Sequence, residues 1–99
     1  MLIVLVRMLV SAEHYQLFKP LLANNAQLSL TESECYQFDI GERLDTETQH
    51  YEFVLYEKYQ DHKAFDFHLT TFHFLDFDSQ TADMIIEKEV KFFDLVEKK

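Results

Sequence analysis

Within LYEKYQDHKAFDFHLTTFHF, residues 55–74, a strand pattern changes into a helix pattern. This stretch begins inside YEFVLYEKY (51–59), which alternates like a β-strand. Asp61 can then cap a helix. Residues expected on that helix are Ala64, Phe65, His68, Leu69 and Phe72. The Thr70-Thr71 pair is predicted to divide it from a shorter helical piece, since β-branched residues are poor helix formers.

The N-terminal third predicts a strand followed by a helix. Residues 2–10 are apolar and β-branched apart from Arg7, which is typical of a strand buried on both faces. Ser11 can cap the helix that follows. Its apolar residues at helical spacing are Tyr15, Phe18, Leu21, Leu22 and Leu28. Pro20 falls on the solvent side and is expected either to bend this helix or to delimit its first turns.

The remaining strands complete a recognisable order. Residues 35–42 alternate like a strand and form a hairpin with 51–59 across a long polar loop. Alternation returns over 85–96, with a change of parity after Val90 that indicates a bulge. The order β-α-β-β-α-β predicts one α+β domain, residues 1–99, with the ferredoxin-like fold: an antiparallel sheet with two helices on one face.

Composition and charge exclude several classes of protein. The chain is 47% hydrophobic with one glycine and one proline, so a folded domain is expected. Its formal charge of -9 repels phosphate backbones and anionic lipids, so neither nucleic acid nor membrane is an expected partner. Cys35 has no partner for an intrachain disulfide, and the apolar start is too short for a signal peptide or membrane span. A cytoplasmic location is the default expectation.

Apolar residues on both faces of the predicted sheet indicate a homodimer. The first strand offers Leu2, Val4 and Val6 on one face, and Ile3 and Leu5 on the other. Helices cover only one face of a ferredoxin-like sheet, so something else must cover the second. A second copy of the same sheet, stacked face to face, is the simplest solution.

Polar residues on three elements are aimed at one volume between the helices and the sheet. His68 lies within the apolar stripe of the second helix, and Asn25 lies at the centre of the stripe of the first. Glu57 and Tyr59 share one face of their strand. A buried unpaired polar group costs roughly 1–3 kcal/mol, so this convergence predicts a pocket.

Simpler interpretations stand beside this one. His68 by itself is typical of a buried histidine whose hydrogen bonds are made within the core. Glu57 could be exposed to solvent at the end of its strand. Asn25 could cap or bend its helix. The aromatic residues equally fit core and dimer packing. No metal site is expected, because the histidines at 62, 68 and 73 do not place two on one helix face at i, i+4. A chain with one glycine has neither a phosphate loop nor a GxSxG elbow, so no nucleotide cofactor is expected.

The same passage resembles the antibiotic biosynthesis monooxygenase (ABM) domain family. In that family a strand ending in an acidic residue and an aromatic leads into a helix with the pattern A-x-x-x-H-x-x-T-x-H. The positions that carry the resemblance are Glu57, Tyr59, Ala64, His68, Thr71 and His73. Upstream, NNAQLSLTESECYQFDI resembles the end of the family's first helix and its second strand. It supplies Asn25, Ser29, Glu32 and Phe38.

The resemblance implies a dimeric α+β barrel with a pocket in each subunit. The family includes cofactor-independent monooxygenases of quinols and anthrones, haem-degrading enzymes and a branch that processes phosphorylated autoinducer-2. The runs Y-E-x-Y-x-D and F-H-x-T-T-x-H are most similar to the quinol-monooxygenase and autoinducer branch. The haem-degrading pattern is not kept: its asparagine is replaced by Val6 or Arg7, its tryptophan by Tyr59, and its ligand histidine falls near Asp78.

The predicted function is therefore oxygenation of a quinol or phenol by dioxygen, with no metal, flavin or other cofactor. His68 is the predicted base, Glu57 orients or charges its imidazole, and Asn25 and Tyr59 donate to the substrate oxyanion. His73 is expected at the pocket mouth. Further substrate contacts are expected from Phe38, Phe65 and Phe72.

Two other classes stay open. One is an isomerase or proton-transfer enzyme on a small hydroxy-ketone of the autoinducer-2 phosphate type, which would use His68 and Glu57 without oxygen. Arg7 and Arg43 are the only arginines, so the acidic chain argues against a phosphorylated substrate. The other is a non-catalytic dimer that binds a small molecule, which a pocket filled by its own aromatic side chains would favour.

Overall fold

The computed structural model describes residues 1–98 and confirms the predicted order of elements. The strands and helices are β1 (Leu2–Val10), α1 (Tyr15–Ser29), β2 (Cys35–Leu44), β3 (Tyr51–Tyr59), α2 (His62–His68), α3 (Phe72–Thr81) and β4 (Ile85–Asp94). The strands form one antiparallel sheet in the order β2-β3-β1-β4, with the helices on one face. This is the ferredoxin-like arrangement.

The core lies between the central strands and the helices. β1 pairs with β3 from Leu2 opposite Tyr59 to Val10 opposite Tyr51, so alternate residues of both strands face α1. Phe18 of α1 packs against Phe53 of β3 and Phe77 of α3, with ring centroids 5.0 and 5.8 Å away. Complete burial of such a ring contributes about 1.5–3 kcal/mol and fixes the helices over the sheet.

The first helix starts later than the sequence predicted. Ser11 precedes a single 3₁₀ turn, Ala12–His14, and its side chain makes no capping hydrogen bond, so α1 begins at Tyr15. Pro20 lies inside α1 and on its exposed side, so it does not delimit the helix. The missing proline N–H costs one backbone hydrogen bond, which solvent can replace at the exposed Gln16 carbonyl.

The division of the second helical segment was predicted correctly. The Asp61 side chain accepts a hydrogen bond from the Ala64 N–H at 2.9 Å and starts α2. The Thr71 side chain accepts from the Phe74 N–H at 3.3 Å and starts α3. The end of α2 and the start of α3 lie close together, since the rings of His68 and His73 have centroids 5.9 Å apart.

The bulge in the last strand lies at its beginning. The register between β1 and β4 shifts between Leu9 and Val10, whose partners are Glu87 and Ile85. From Val90 onward the pairing is regular, and β4 ends at Asp94 instead of continuing to residue 96. The parity change that the sequence suggested after Val90 is therefore wrong; β4 is an edge strand, and Val90 and Phe92 are substantially exposed.

The sheet face opposite the helices is apolar at its centre. Leu5, Val54 and Phe93 project from it and are 38%, 50% and 48% exposed. Beside them the Glu52 carboxylate bonds both Arg7 and Arg43. We call this the open face. Among residues 1–98, no helix has the length and apolar character needed to cross a membrane.

Candidate functional site

A cavity of about 300 Å³ lies between the sheet and the helices, where the sequence predicted a pocket. Its polar lining residues are Asn25, Glu57, His68 and Lys88. Its apolar lining residues include Val6, Met8, Phe38, Leu55, Phe65, Phe74, Phe77 and Phe92. An apolar enclosure with a few convergent polar groups is the usual form of a small-molecule site.

Four elements supply the polar groups. Asn25 lies on the buried side of α1, Glu57 on β3 and His68 at the end of α2, and all three are 3% exposed. Lys88, which the sequence analysis missed, pairs with Met8 and so shares the helix-facing side of the sheet. The alternation of β4 could have placed Lys88 there, if its register against β1 had been known. It is the cationic side chain on the cavity wall.

The carboxylate bonded to His68 is Glu32, and not Glu57 as the sequence analysis proposed. His68 Nδ1 lies 2.8 Å from Glu32 Oε2, and His73 Nε2 lies 2.6 Å from the same oxygen. Glu32 lies in the turn between α1 and β2. A backbone hydrogen bond from Gln60 N to the Glu34 carbonyl, 3.0 Å long, ties that turn to the residues just before α2. That bond holds the turn beside the start of α2, and the Glu32 side chain reaches the end of the helix at His68.

These contacts set the protonation of the imidazole. A carboxylate oxygen accepts hydrogen bonds, so we assign a proton to Nδ1 of His68 and to Nε2 of His73. Burial lowers the pKa of His68, and the hydrogen bond that Nδ1–H donates to Glu32 opposes that shift without reversing it. His68 is then neutral near pH 7 with an unprotonated Nε2. The hydrogen bond to Glu32 uses Nδ1, so Nε2 is the ring nitrogen left to accept a proton.

Glu57 has a different partner. The Tyr59 hydroxyl donates to Glu57 Oε1 at 2.6 Å. Burial raises the pKa of Glu57 to about 7, although the Tyr59 hydrogen bond and the charge of Lys88 act in the opposite direction. Tyr59 is fully buried and does not line the cavity. Its hydroxyl therefore bonds Glu57, and not a substrate as the sequence analysis predicted. Burial also raises the pKa of the Tyr59 hydroxyl, which stays protonated.

The predicted substrate contacts divide into two groups. Phe38 and Phe65 line the cavity. Phe72 does not: it is 82% exposed at the start of α3. The prediction placed Phe72 on the stripe of α2, but the break at Thr70-Thr71 starts a new helix, on which Phe74 and Phe77 face the cavity instead.

His73 does not line the cavity either. Its side chain is 14% exposed, and it bonds Glu32 and lies beside His68, with ring centroids 5.9 Å apart. Phe74 also packs on His68, at 5.2 Å between ring centroids. Glu32 Oε1 and Asn25 Oδ1 are fully buried and have no hydrogen-bond partner in the described part of the chain. Such groups are uncommon and point to a ligand that would satisfy them.

The chain was compared with known proteins. The family model described as antibiotic biosynthesis monooxygenase matches residues 1–80. A search of curated proteins gives no match. A putative antibiotic biosynthesis monooxygenase from Nitrosomonas europaea superposes with a TM-score of 0.88 at 28% identity, covering 98% of this chain and 100% of that one.

Another solved structure supports the fold alone. A putative antibiotic biosynthesis monooxygenase from Deinococcus radiodurans has a TM-score of 0.86 at 21% identity, covering 100% of this chain and 96% of that one. The family model covers both the turn with Glu32 and the two histidines, that is, the residues that build the site. The chain therefore belongs to the antibiotic biosynthesis monooxygenase family.

Proposed function

We propose that this protein is a cofactor-independent monooxygenase that acts on a quinol or a related electron-rich phenol. The observation that carries the proposal is the state of His68: its Nδ1–H is held by Glu32, and its unprotonated Nε2 belongs to a side chain that lines a cavity of about 300 Å³. Membership of the family and the name of the Nitrosomonas europaea structure support monooxygenase chemistry.

The proposed reaction mainly requires from the protein a base and a cavity that excludes water. Nε2 of His68 takes the proton of a substrate hydroxyl, which leaves an electron-rich aryl oxide. The aryl oxide reacts with dioxygen and forms a carbon–oxygen bond. Loss of water from the resulting hydroperoxide gives a hydroxyquinone, so one quinol and one dioxygen yield one hydroxyquinone and one water. The substrate supplies all the electrons, and no external reductant is needed.

Two neighbours assist this step. Glu32 bonds Nδ1, so it holds the reactive tautomer and stabilises the imidazolium that forms, which makes it a positioning residue. Asn25 lines the cavity with an unpaired Oδ1, and a substrate hydroxyl is the group that would satisfy it. The aromatic wall excludes water, which strengthens these interactions.

Dioxygen consumption tests the proposal. Purified protein with a panel of quinols, in the presence of a chelator, should consume one dioxygen for each hydroxyquinone formed. The His68→Gln variant should lose activity, whereas His62→Ala, which removes an exposed histidine of the same helix, should keep it. Unchanged turnover in a folded His68→Gln variant would contradict the assignment.

An isomerase is the second candidate, and Glu57 favours it. A protonated carboxyl with a pKa of about 7 and a neutral imidazole line the same cavity, which suits proton transfer on a hydroxy-ketone. Lys88 adds a positive charge on that wall, while Arg7 and Arg43 are engaged by Glu52 on the open face. Exchange of the substrate's α-hydrogen with deuterated water, without oxygen uptake, would identify this activity.

A non-catalytic binding dimer is less favoured, because space remains beside His68. The aromatic side chains line the cavity without filling it.

We further propose that the protein acts as a homodimer through the open face. Exposed Leu5, Val54 and Phe93 form an apolar patch there, and a second sheet would cover it.

A further inference from the structure

We propose that Glu32, His68 and His73 form a binding site for a divalent cation of the zinc type. Each residue offers one ligand atom, and the three atoms lie within 4.8 Å of one another. Two imidazole nitrogens and one carboxylate oxygen are ligands that zinc and its neighbours among the transition metals prefer. Spacing along the chain does not predict this group, because its histidines are on two helices and the carboxylate is on a distant turn.

The hydrogen bonds within the cluster do not satisfy all of its polar atoms. The Glu32 side chain is 6% exposed, yet both histidines bond the same oxygen, Oε2. The other oxygen, Oε1, is fully buried and has no partner among residues 1–98. A buried carboxylate with one oxygen left without a partner is costly, and a bound cation would compensate that cost.

Small movements would accommodate the ion. Ligand atoms around tetrahedral zinc are about 3.3 Å apart, given bonds of about 2.0–2.1 Å. The present separations of 2.8 and 2.6 Å are hydrogen-bond lengths, so these contacts must lengthen by roughly 0.5 and 0.7 Å. His73 lies in the first turn of α3 and is the most exposed of the three side chains, so it can yield.

A groove of about 280 Å³ reaches Glu32, one of the three proposed ligands. Its lining includes Glu32, Ser33, Glu34 and Lys63. Solvent in this groove could supply the remaining ligand of a site with three protein ligands. The formal charge of -9 on the chain also raises the local concentration of cations.

A bound cation would prevent His68 from acting as the proposed base. Coordination through Nδ1 of His68 displaces the proton from that nitrogen, and a neutral imidazole then carries its proton on Nε2. Nε2 becomes a donor and no longer accepts a proton from substrate. This consequence rests on the proposed function, whereas the existence of the metal site does not. Zinc would thus be an inhibitor that competes with the Nδ1 proton.

The first experiment measures binding without substrate. Tag-free protein, stripped of metal, is titrated with Co²⁺ and followed by visible absorption, then by displacement with Zn²⁺. We expect one ion per chain. His73→Ala should weaken binding by more than the roughly 10–100-fold that loss of an outer-shell partner costs. Glu32→Gln should also weaken it, and His62→Ala should not.

The second experiment separates metal binding from catalysis. Nitrogen-15 spectra of the imidazoles should show the proton of His68 moving from Nδ1 to Nε2 when Zn²⁺ is added. Absence of stoichiometric binding, or equal binding by His73→Ala and His62→Ala, would overturn the site. Binding with the expected tautomer change but no quinol turnover would leave the metal site standing and remove the oxygenase proposal; turnover insensitive to bound zinc would overturn the inhibition.

Discussion

Glu32 and His68 are 36 residues apart in the chain, and Glu32 Oε2 lies 2.8 Å from His68 Nδ1. Glu32 is in a turn and His68 at the last residue of a short helix, so neither position is fixed by local periodicity. The contact depends on pairing of β2 with β3, which carries the turn to the start of α2. The orientation of the proposed base is thus a product of tertiary structure.

Glu32→Gln should lower kcat for the oxygenation proposed here and leave KM nearly unchanged. The amide can still occupy the position, but it cannot stabilise an imidazolium as a carboxylate does. We expect a loss of roughly 10–100-fold in kcat, a fraction of what a general base contributes. Steady-state oxygen uptake gives both constants, and Glu34→Gln in the same turn is the matched control. A change confined to KM would assign Glu32 to substrate binding.

Glu57 should make the protein less stable as pH rises from about 4.5 to 7. Its pKa is raised from an ordinary value of 4.5 to about 7, so in this range the unfolded chain loses the proton and the folded chain keeps it. The stability present below pH 4.5 should decline by on the order of 3 kcal/mol by pH 8.

Chemical denaturation of Glu57→Gln across this pH range tests that prediction. The variant keeps an acceptor for the Tyr59 hydroxyl and has no carboxyl to ionise, so its profile should lack this decline. The exposed loop variant Glu47→Gln should behave like the parent. An unchanged decline in Glu57→Gln would place its origin elsewhere.

Phe65→Ala and Phe72→Ala should differ. Phe65 lines the cavity and packs against Tyr59 and Phe92, with ring centroids 5.3 and 5.4 Å away. Its removal should raise KM for an aromatic substrate and cost on the order of 2–4 kcal/mol of stability. Phe72 is 82% exposed, so its removal should change stability by less than about 0.5 kcal/mol. Thermal unfolding and kinetics of both variants check this, and equal effects would contradict the placement of Phe72.

Asp61→Ala should weaken the start of α2. The Asp61 side chain accepts the Ala64 N–H, and loss of such a cap costs about 1 kcal/mol. Asp66→Ala, on the exposed side of the same helix, should cost much less. Urea denaturation measures both. A cost for Asp66→Ala as large as that for Asp61→Ala would show that charge, and not capping, is responsible.

Val54→Lys should produce a monomer if the proposed dimer forms through the open face. Val54 is 50% exposed at the centre of that face, so stacking would bury the new charge. Sedimentation velocity compares it with Leu17→Lys, which places a lysine at a 62% exposed position of α1. A parent protein that is already monomeric would contradict the dimer directly.

The sequence predicted the fold well because its elements have strong local signals. The apolar run of β1, the alternation of β3, the cap at Asp61 and the break at Thr70-Thr71 are set by neighbours in the chain. The start of α1 was missed, because a 3₁₀ turn separates Ser11 from it. The bulge in β4 was placed too late, because register depends on the partner strand and not on the residues of β4 alone.

The candidate site was only partly predictable. His68, Asn25 and Glu57 could be placed in one volume from their faces on regular elements. The role given to Glu57 could not be derived in this way, because the direction of each hydrogen bond depends on side-chain torsions and on a competing turn residue. Tyr59 reaches Glu57 within its own strand, and Glu32 reaches His68 from elsewhere. Periodicity shows which face of a helix or strand a residue occupies, and it does not show which side chain is its hydrogen-bond partner.

The break between α2 and α3 gives the two histidines different mechanical supports. His68 ends a helix that is fixed by the Asp61 cap and packed on β3 through Ala64. His73 belongs to the first turn of the next helix, beyond Leu69 and the two threonines. The two imidazoles that bond one oxygen of Glu32 therefore belong to two separately capped helices. A change at the Thr71 cap would act first on His73, whereas a change at the Asp61 cap would act first on the helix of His68.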